Sequence, residues 1–344
     1  MRLQTFLLIF TATLGTGLLI AGIIIWPTYS FPNPVLPQSR LPQAENKAEP
    51  VPAPKLTLFF TGDIMLARGV EWRIGQEGIN YPLENMVEII SAADIAIGNF
   101  EGTIREVQNV EPGYTMSFDT TPALAQMVID SGFDVLSLAN NHGDDFGPSV
   151  TTYTRDTIEA LGAFPVGDPS DSANNIARID RNGFALSIIG YHAFGEEYST
   201  IVEAIALEKA AGRFVIVFPH WGPEYESTPH ASAEVEPAHA FVDAGADLVI
   251  GAHPHVIQTI ETYNGVPVIY SLGNFLFDQD WSVPTQQGMT VLVTLTDNDI
   301  TLDFATVQVS LQKTTPMSDE ASAALLSTYD IPATMTIPRI SNIK

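Results

Sequence analysis

Five short apolar runs punctuate the chain, and each stops at a residue able to hold a metal. LTLFF (56–60) leads to Asp63, DIAIG (94–98) opens onto Asn99 and Glu101, and DVLSLA (134–139) ends at Asn140, Asn141 and His142. FVIVF (214–218) runs to His220, and DLVIGA (247–252) ends at His253 and His255. Runs of Val, Ile, Leu and Phe bounded by Gly, Pro, Asn and Asp are the signature of strands buried on both faces. FALSIIGYH (184–192) and PVIYSLGNF (267–275) read the same way, with His192 closing the first and Asn274 inside the second. Between the runs, helical periodicity falls at Leu83–Ala92, at 122–132 and 149–162, each of these two closed by a glycine, and at 233–246. After Gly288 the pattern alternates, predicting a hairpin over 289–309 that turns at Asp297–Asp299. Residues 313–344 are polar with scattered apolar positions and read as a tail. The expected class is α/β, with ligands at the carboxyl ends of the strands.

The amino-terminal pattern is different. Phe6 to Trp26 carries no charge, and a helix of about 20 apolar residues spans a bilayer. No Ala-x-Ala follows it, so an uncleaved signal anchor is expected rather than a cleaved leader. Arg2 precedes the span and the next basic residue is Arg40, which places a cytoplasmic tip at 1–5 and the rest of the chain outside. Eight prolines between 27 and 55 predict an extended, semi-rigid linker. The globular domain is then 56–312, with its core motifs in 56–280.

Charge narrows the partners. The chain has 15 basic and 40 acidic side chains, a net charge of -25. Four basic and two acidic residues lie in 1–55, which leaves 11 against 38 afterwards, a balance of -27. Such a surface repels nucleic acid, whose binding depends on neutralised phosphates. It suits either solubility or the attraction of cations. With no cysteine, disulfides, thiolate metal sites and Cys nucleophiles are excluded.

The strand-end residues form a coherent donor set. Asp63 and Glu101 supply charge for a cation, the Asn140–Asn141 pair a neutral amide oxygen, and His220, His253 and His255 imidazoles. His142 is placed to handle protons. Each has a bland alternative as a cap, a turn amide or a satisfied core histidine, but five such run ends in one chain argue against coincidence. His230 and His239 read as surface residues, and Trp221 as packing or a substrate platform.

TGDIMLARG (61–69), IGNFEGTI (97–104), SLANNHGDDFG (137–147), FPHWGPEYE (218–226), GAHPHVIQ (251–258) and SLGNFLFDQ (271–279) match, in order, the motifs of the CapA family. The chain resembles these capsule or poly-γ-glutamate biosynthesis proteins over roughly 56–280. The resemblance implies a calcineurin-like metallophosphatase sandwich, two mixed β-sheets flanked by helices, behind the transmembrane helix. It implies one or two divalent ions, Mn, Fe, Zn or Mg, on Asp63, Glu101, Asn141, His220, His253 and His255, with His142 as proton donor. Asn99, Asn140, Asp145, Glu224 and Asn274, and also Asp278, fall in the same motifs as groups that orient the ligands. Implied partners are the membrane, other membrane proteins of polymer synthesis, and an anionic polymer. One departure stands out: catalytic metallophosphatases begin Asp-x-His, and here Met65 follows Asp63-Ile64. A thioether is a poor ligand for hard divalent ions. Two functions follow, a non-hydrolytic component of polymer synthesis or export, and a metal-dependent phosphoesterase with His142 as general acid.

Overall fold

The computed structural model describes residues 54–106, 116–169, 175–194 and 197–339. The stretch read as an anchor (6–26) and nearly all of the proline-rich linker lie outside them. Among the described residues, no helix is long and apolar enough to cross a membrane.

The strands are β1 (Leu56–Ile64), β2 (Ile95–Phe100), β3 (Thr103–Ile104), β4 (Asp119–Thr120), β5 (Val135–Ser137), β6 (Phe164–Val166), β7 (Ile176–Arg181), β8 (Phe184–His192) and β9 (Phe214–His220). They continue with β10 (Leu248–Ile250), β11 (Ile260–Tyr263), β12 (Val266–Ile269), β13 (Asn274–Leu276), β14 (Gln287–Leu295), β15 (Asp299–Ser310), β16 (Lys313–Pro316) and β17 (Thr334–Pro338). The helices are α1 (Arg68–Glu77), α2 (Val87–Ile90), α3 (Pro122–Asp130), α4 (Pro148–Ala160), α5 (Tyr198–Ala210), α6 (Glu236–Ala244) and α7 (Asp319–Ser327).

Two mixed sheets result. The first runs β16-β15-β14-β1-β2-β5-β6, with β13 beside β1 and β17 beside β15. The second runs β11-β12-β10-β9-β8-β7. Alternation along single strands explains how they stack. Leu58 and Phe60 of β1 and Phe214, Ile216 and Phe218 of β9 enter one core shared by the two sheets. Their neighbours point the other way: Phe59 packs with Val70, Leu124 and Ile158 of α1, α3 and α4, and Val215 and Val217 with Ile205 of α5 and Phe241 of α6. Strands lined by apolar residues on both faces are therefore the middle of a helix–sheet–sheet–helix stack. Each fully buried Val, Leu, Ile or Phe side chain contributes about 1.5–3 kcal/mol.

The strands expected from the apolar runs form, as do α3, α4, α6 and the β14–β15 hairpin. Leu83–Ala92 holds only the single turn of α2. Residues 313–338 are a correction to the reading of a tail. β16 and β17 both pair with β15, and α7 places Leu326 in the shared core. Edge strands bury one face or less, so the polar texture that suggested a tail is the texture of a sheet margin.

Register brings the functional positions to one edge. Asp63 pairs with Asn99 on β2 and with Asn274 on β13, and His192 pairs with His220. The backbone ahead of β13 lies close enough to β1 to demand glycine at position 62. A Cβ on Gly62 would stand 1.8 Å from the Gly273 carbonyl oxygen. Gly62→Ala is expected to cost about 1–3 kcal/mol through overpacking, read as a lower midpoint of thermal unfolding. An unchanged midpoint would show that β1 and β13 can separate freely.

Candidate metal centre

The parallel strands β1, β2, β5, β9 and β10 all end on this edge, so the loops leaving them crowd polar side chains into one buried space. Asp63, Asn99, Glu101, Asn140, His220, His253, His255 and Asn274 are all buried. The oxygen and nitrogen atoms that Asp63, Glu101 and His220 offer lie within 4.8 Å of one another, and so do those of Glu224, His253 and His255. Two sets of three donors therefore sit at the strand ends. Glu224, an orienting group in the sequence reading, is exposed and completes the second set.

The first set is organised around Asn99. Its amide nitrogen stands 2.8 Å from Asp63 Oδ1, 3.1 Å from Glu101 Oε1 and 3.1 Å from His220 Nδ1. Three acceptors thus converge on a neutral group with two hydrogens. The second oxygen of Glu101 and Nδ1 of His253 are buried with no hydrogen-bond partner. Buried acceptors left open cost about 1–3 kcal/mol each. A surplus of acceptors around two buried carboxylates is what a cation site needs, so these residues fit a divalent ion.

The protonation states fit as well. Burial pushes Asp63 up, but the hydrogen bond and charge of His255, with hydrogen bonds from Asn99 and Glu101, together hold this carboxyl below its ordinary value. Burial and then the neighbouring Asp63 charge push Glu101 well above the carboxylate range. Burial, and then its histidine neighbours, keep His220 well below its ordinary value. The same causes bring His253 down to about 3. Both imidazoles are therefore neutral and open to a metal at neutral pH, while the raised value of Glu101 reports two crowded carboxyls whose repulsion a cation would relieve.

The remaining residues hold these in place. His255 Nδ1 lies 3.0 Å from both Asp63 Oδ2 and Asn274 Oδ1, which leaves its Nε2 for a ligand. Asn140 donates to Asn99 Oδ1 at 3.2 Å and to the Phe100 carbonyl at 2.9 Å. Asn141 Oδ1 meets His220 Nε2 at 2.8 Å, linking it to the first set. His142 stands one residue further out. Its Nδ1 is 2.9 Å from Asp145 Oδ2, which also accepts the Phe118 amide at 2.6 Å. Its ring stacks on Phe118 with centroids 3.8 Å apart.

Met65 is buried in the apolar cluster on the outer face of the first sheet, where its sulfur accepts the Ala67 amide. The position therefore serves packing. His192, its ring 6.4 Å from that of His220, is lowered to about 4 by burial and borders the first set. Trp221 is fully buried against Phe241 and Tyr270 and donates to the Tyr270 carbonyl, so it is packing and no platform. His230 caps the turn at Ala231–Val235, and His239 stacks on Tyr263.

Sequence reading passed over Arg68 and Phe118. The Arg68 guanidinium lies 4.6 Å from the Phe118 ring centre and pairs with Asp278. Backbone strain marks the same place. Arg68, Tyr225, His253 and His255 have positive φ, of 52°, 65°, 101° and 59°, although none is glycine. Such conformations persist where surrounding structure enforces them, often at functional sites.

The family described as bacterial capsule synthesis protein PGA_cap matches residues 57–279. The chain belongs to this family. Residues 57–279 of this PGA_cap chain contain every donor described above. The PGA biosynthesis protein CapA of Bacillus subtilis (strain 168) is 31% identical over 248 residues, 66% of this chain and 64% of that protein. The capsule biosynthesis protein CapA of Bacillus anthracis is 31% identical over 291 residues, 76% of this chain and 69% of its own length. A probable polyglutamine synthesis accessory protein of Mycobacterium tuberculosis is 28% identical over 245 residues, 61% of each chain. This PGA_cap chain thus spans just under two thirds of the B. subtilis relative's length.

Proposed function

We propose that this chain acts in the synthesis or export of a capsular polymer of the poly-γ-glutamate kind, with a divalent-metal centre of metallophosphatase type. Family membership and the names of the Bacillus relatives support the polymer. The two-sheet stack with its donors at the strand ends supports the calcineurin-like type of site. The uncharged stretch 6–26 supports a single-pass anchor in the cell membrane with the domain outside, beside other membrane proteins of the same machinery.

The observation that carries the metal reading is the convergence of Asp63, Glu101 and His220 on one amide, with an open acceptor on Glu101. Asp63, Glu101, Asn141 and His220 would hold one ion, and Glu224, His253 and His255 a second. Imidazole mixed with carboxylate favours Mn, Fe or Zn over Mg. Elemental analysis of the purified full-length chain is expected to find one to two equivalents of such a metal. A metal-free protein that also fails to take up added Mn(II) or Zn(II) would refute the proposal.

Titration gives a second check. Glu101 has its pKa raised, so an ion, which needs the ionised form, competes with protons for it, while His220 and His253 are already neutral. Affinity should rise with pH through the raised Glu101 value, with no step from these two histidines near 6.5. Calorimetry in buffers of different ionisation enthalpy should report proton release, and heats independent of buffer would contradict it.

A second reading, an active phosphoesterase on a cell-envelope substrate, is favoured by the His142–Asp145 pair. Metal held here supplies Lewis-acid polarisation of a phosphoryl group. Asp145 is fixed by the Phe118 amide and sets the proton on Nδ1 of His142. When the ring is doubly protonated, Asp145 stabilises its charge and Nε2 can deliver a proton to a leaving oxygen.

A further inference from the structure

Exposed aromatic rings border the donor sets, and neither the fold nor the donors require them. Trp281 is 59% exposed and Tyr225 46%, and their rings meet edge to face at 6.0 Å and 79°. Tyr225 in turn lies 6.1 Å from the His255 ring, so this aromatic corner is continuous with the second donor set. A third ring, Phe194, is 52% exposed and stands 4.5 Å from the His253 ring.

The corner is held rather than loose. The Tyr225 amide donates to the Pro254 carbonyl at 2.8 Å, pinning it to the His253–His255 loop. Its hydroxyl accepts from Gln279 at 3.3 Å, a residue of the loop that carries Trp281. Tyr225 keeps a φ of 65° under these restraints, a strained conformation for a bulky residue. Strain and exposure together, beside a metal-type site, point to a ligand that uses the ring face.

The neighbouring charges choose among ligands. Glu224 and Glu226 flank Tyr225, Asp280 precedes Trp281, and all three are exposed. Arg68, the basic side chain whose charge reaches Tyr225, is already paired with Asp278. An acidic aromatic rim repels a run of glutamyl carboxylates. Its remaining carboxylates, Glu226 and Asp280, accept hydrogen bonds from hydroxyl groups, and its rings cover the C–H face of a saturated ring.

We propose that Tyr225 and Trp281 form a subsite for the sugar ring of a glycosyl phosphoester whose phosphoryl group lies at the donor set. This rests on the reading of the site as a phosphoester-binding metal centre. Stacking of this kind is worth roughly a two- to tenfold gain in affinity.

Isothermal titration of the full-length, Mn(II)-loaded chain with inorganic phosphate, glucose 1-phosphate and a short γ-linked glutamate oligomer tests it. Glucose 1-phosphate is expected to bind up to about tenfold more tightly than phosphate. Trp281→Ala should erase that preference and leave phosphate binding as it was, while Trp72→Ala, at an exposed tryptophan on α1, should keep it. Equal binding of the sugar phosphate and phosphate, or a preference that survives Trp281→Ala, overturns the subsite and leaves the metal centre standing. Tighter binding of the glutamate oligomer, lost in Trp281→Ala, reassigns the rim to the polymer and also overturns it. Phosphate that fails to bind, or binds equally without Mn(II), removes the phosphoester reading and this inference with it.

Discussion

Asp63→Asn is expected to leave a folded protein that no longer holds metal. The substitution keeps the volume of a fully buried side chain, but removes the charge that three elements were built around. Asp63 accepts from Asn99 on β2 and from the His253 amide on the following loop, and faces His255 Nδ1. An amide in its place can still accept some of these bonds, so the network loses less than it would in Asp63→Ala. What it cannot do is balance a divalent ion. Removing groups that merely orient a ligand costs about 10–100-fold in metal affinity, and losing the central carboxylate should exceed that. Metal at 100 times its dissociation constant stabilises the native state by about 2.7 kcal/mol, so the wild type should melt higher with metal than without. Asp63→Asn should show no such difference, and its metal content should fall to background. Wild-type affinity in Asp63→Asn would place the ion elsewhere and dismantle the proposed centre. Glu101 provides an internal control. Without the Asp63 charge beside it, one cause of its raised pKa is gone, so it should ionise at lower pH in the variant.

The architecture of this site was legible in the chain because strands buried on both faces leave continuous apolar runs. Those runs ended at the residues that the structure gathers on one edge, so Asp63, Glu101, His220, His253 and His255 could be picked out before any contact was known, while the choice of Asn141 over Asn140 came from the family motif. What the pattern could not carry is direction in space. Glu224 sits four residues beyond a strand in a polar loop, and only the turn from His220 back past Pro254 brings it to His253 and His255. Arg68 looks like an ordinary first residue of a helix, yet its guanidinium covers Phe118, itself an isolated aromatic after a loop. Trp221, read as packing or a platform, is packing: a side chain adjacent in sequence to a strand-end residue points into the opposite layer, here against Phe241. α5 was passed over because its 13 residues carry only a weak apolar stripe, with Leu207 exposed and Glu208 buried against Arg178 and Ser187. The margin of the first sheet was missed for the matching reason, since edge strands need little apolar content.

His142→Ala is expected to separate catalysis from metal binding. The His142 side chain is 7% exposed and reaches the donor sets through Asn141, whose amide nitrogen lies 3.2 Å from its Nε2, while its bond to Asn140 is made by the backbone amide and survives the substitution. Its other nitrogen is committed to Asp145, and its face to Phe118. Asn141 keeps its second contact, Oδ1 at 2.8 Å from His220 Nε2, and the other donors do not touch the His142 ring, so the variant should keep nearly wild-type metal content. General acid catalysis typically contributes about 10²–10⁴-fold, and turnover of an alkyl phosphoester should fall by that factor. An aryl ester such as p-nitrophenyl phosphate leaves without needing a proton, so its hydrolysis should fall far less. That difference between leaving groups distinguishes proton donation from general damage to the site, which would slow both alike. Asp145→Asn should lie between, because the ring keeps its nitrogens but loses the carboxylate that stabilises its charged form. If His142→Ala slows both esters equally, or loses metal, His142 is a structural residue. If the wild type turns over neither ester while holding its metal, the site serves binding, and the polymer-synthesis reading is the one that remains.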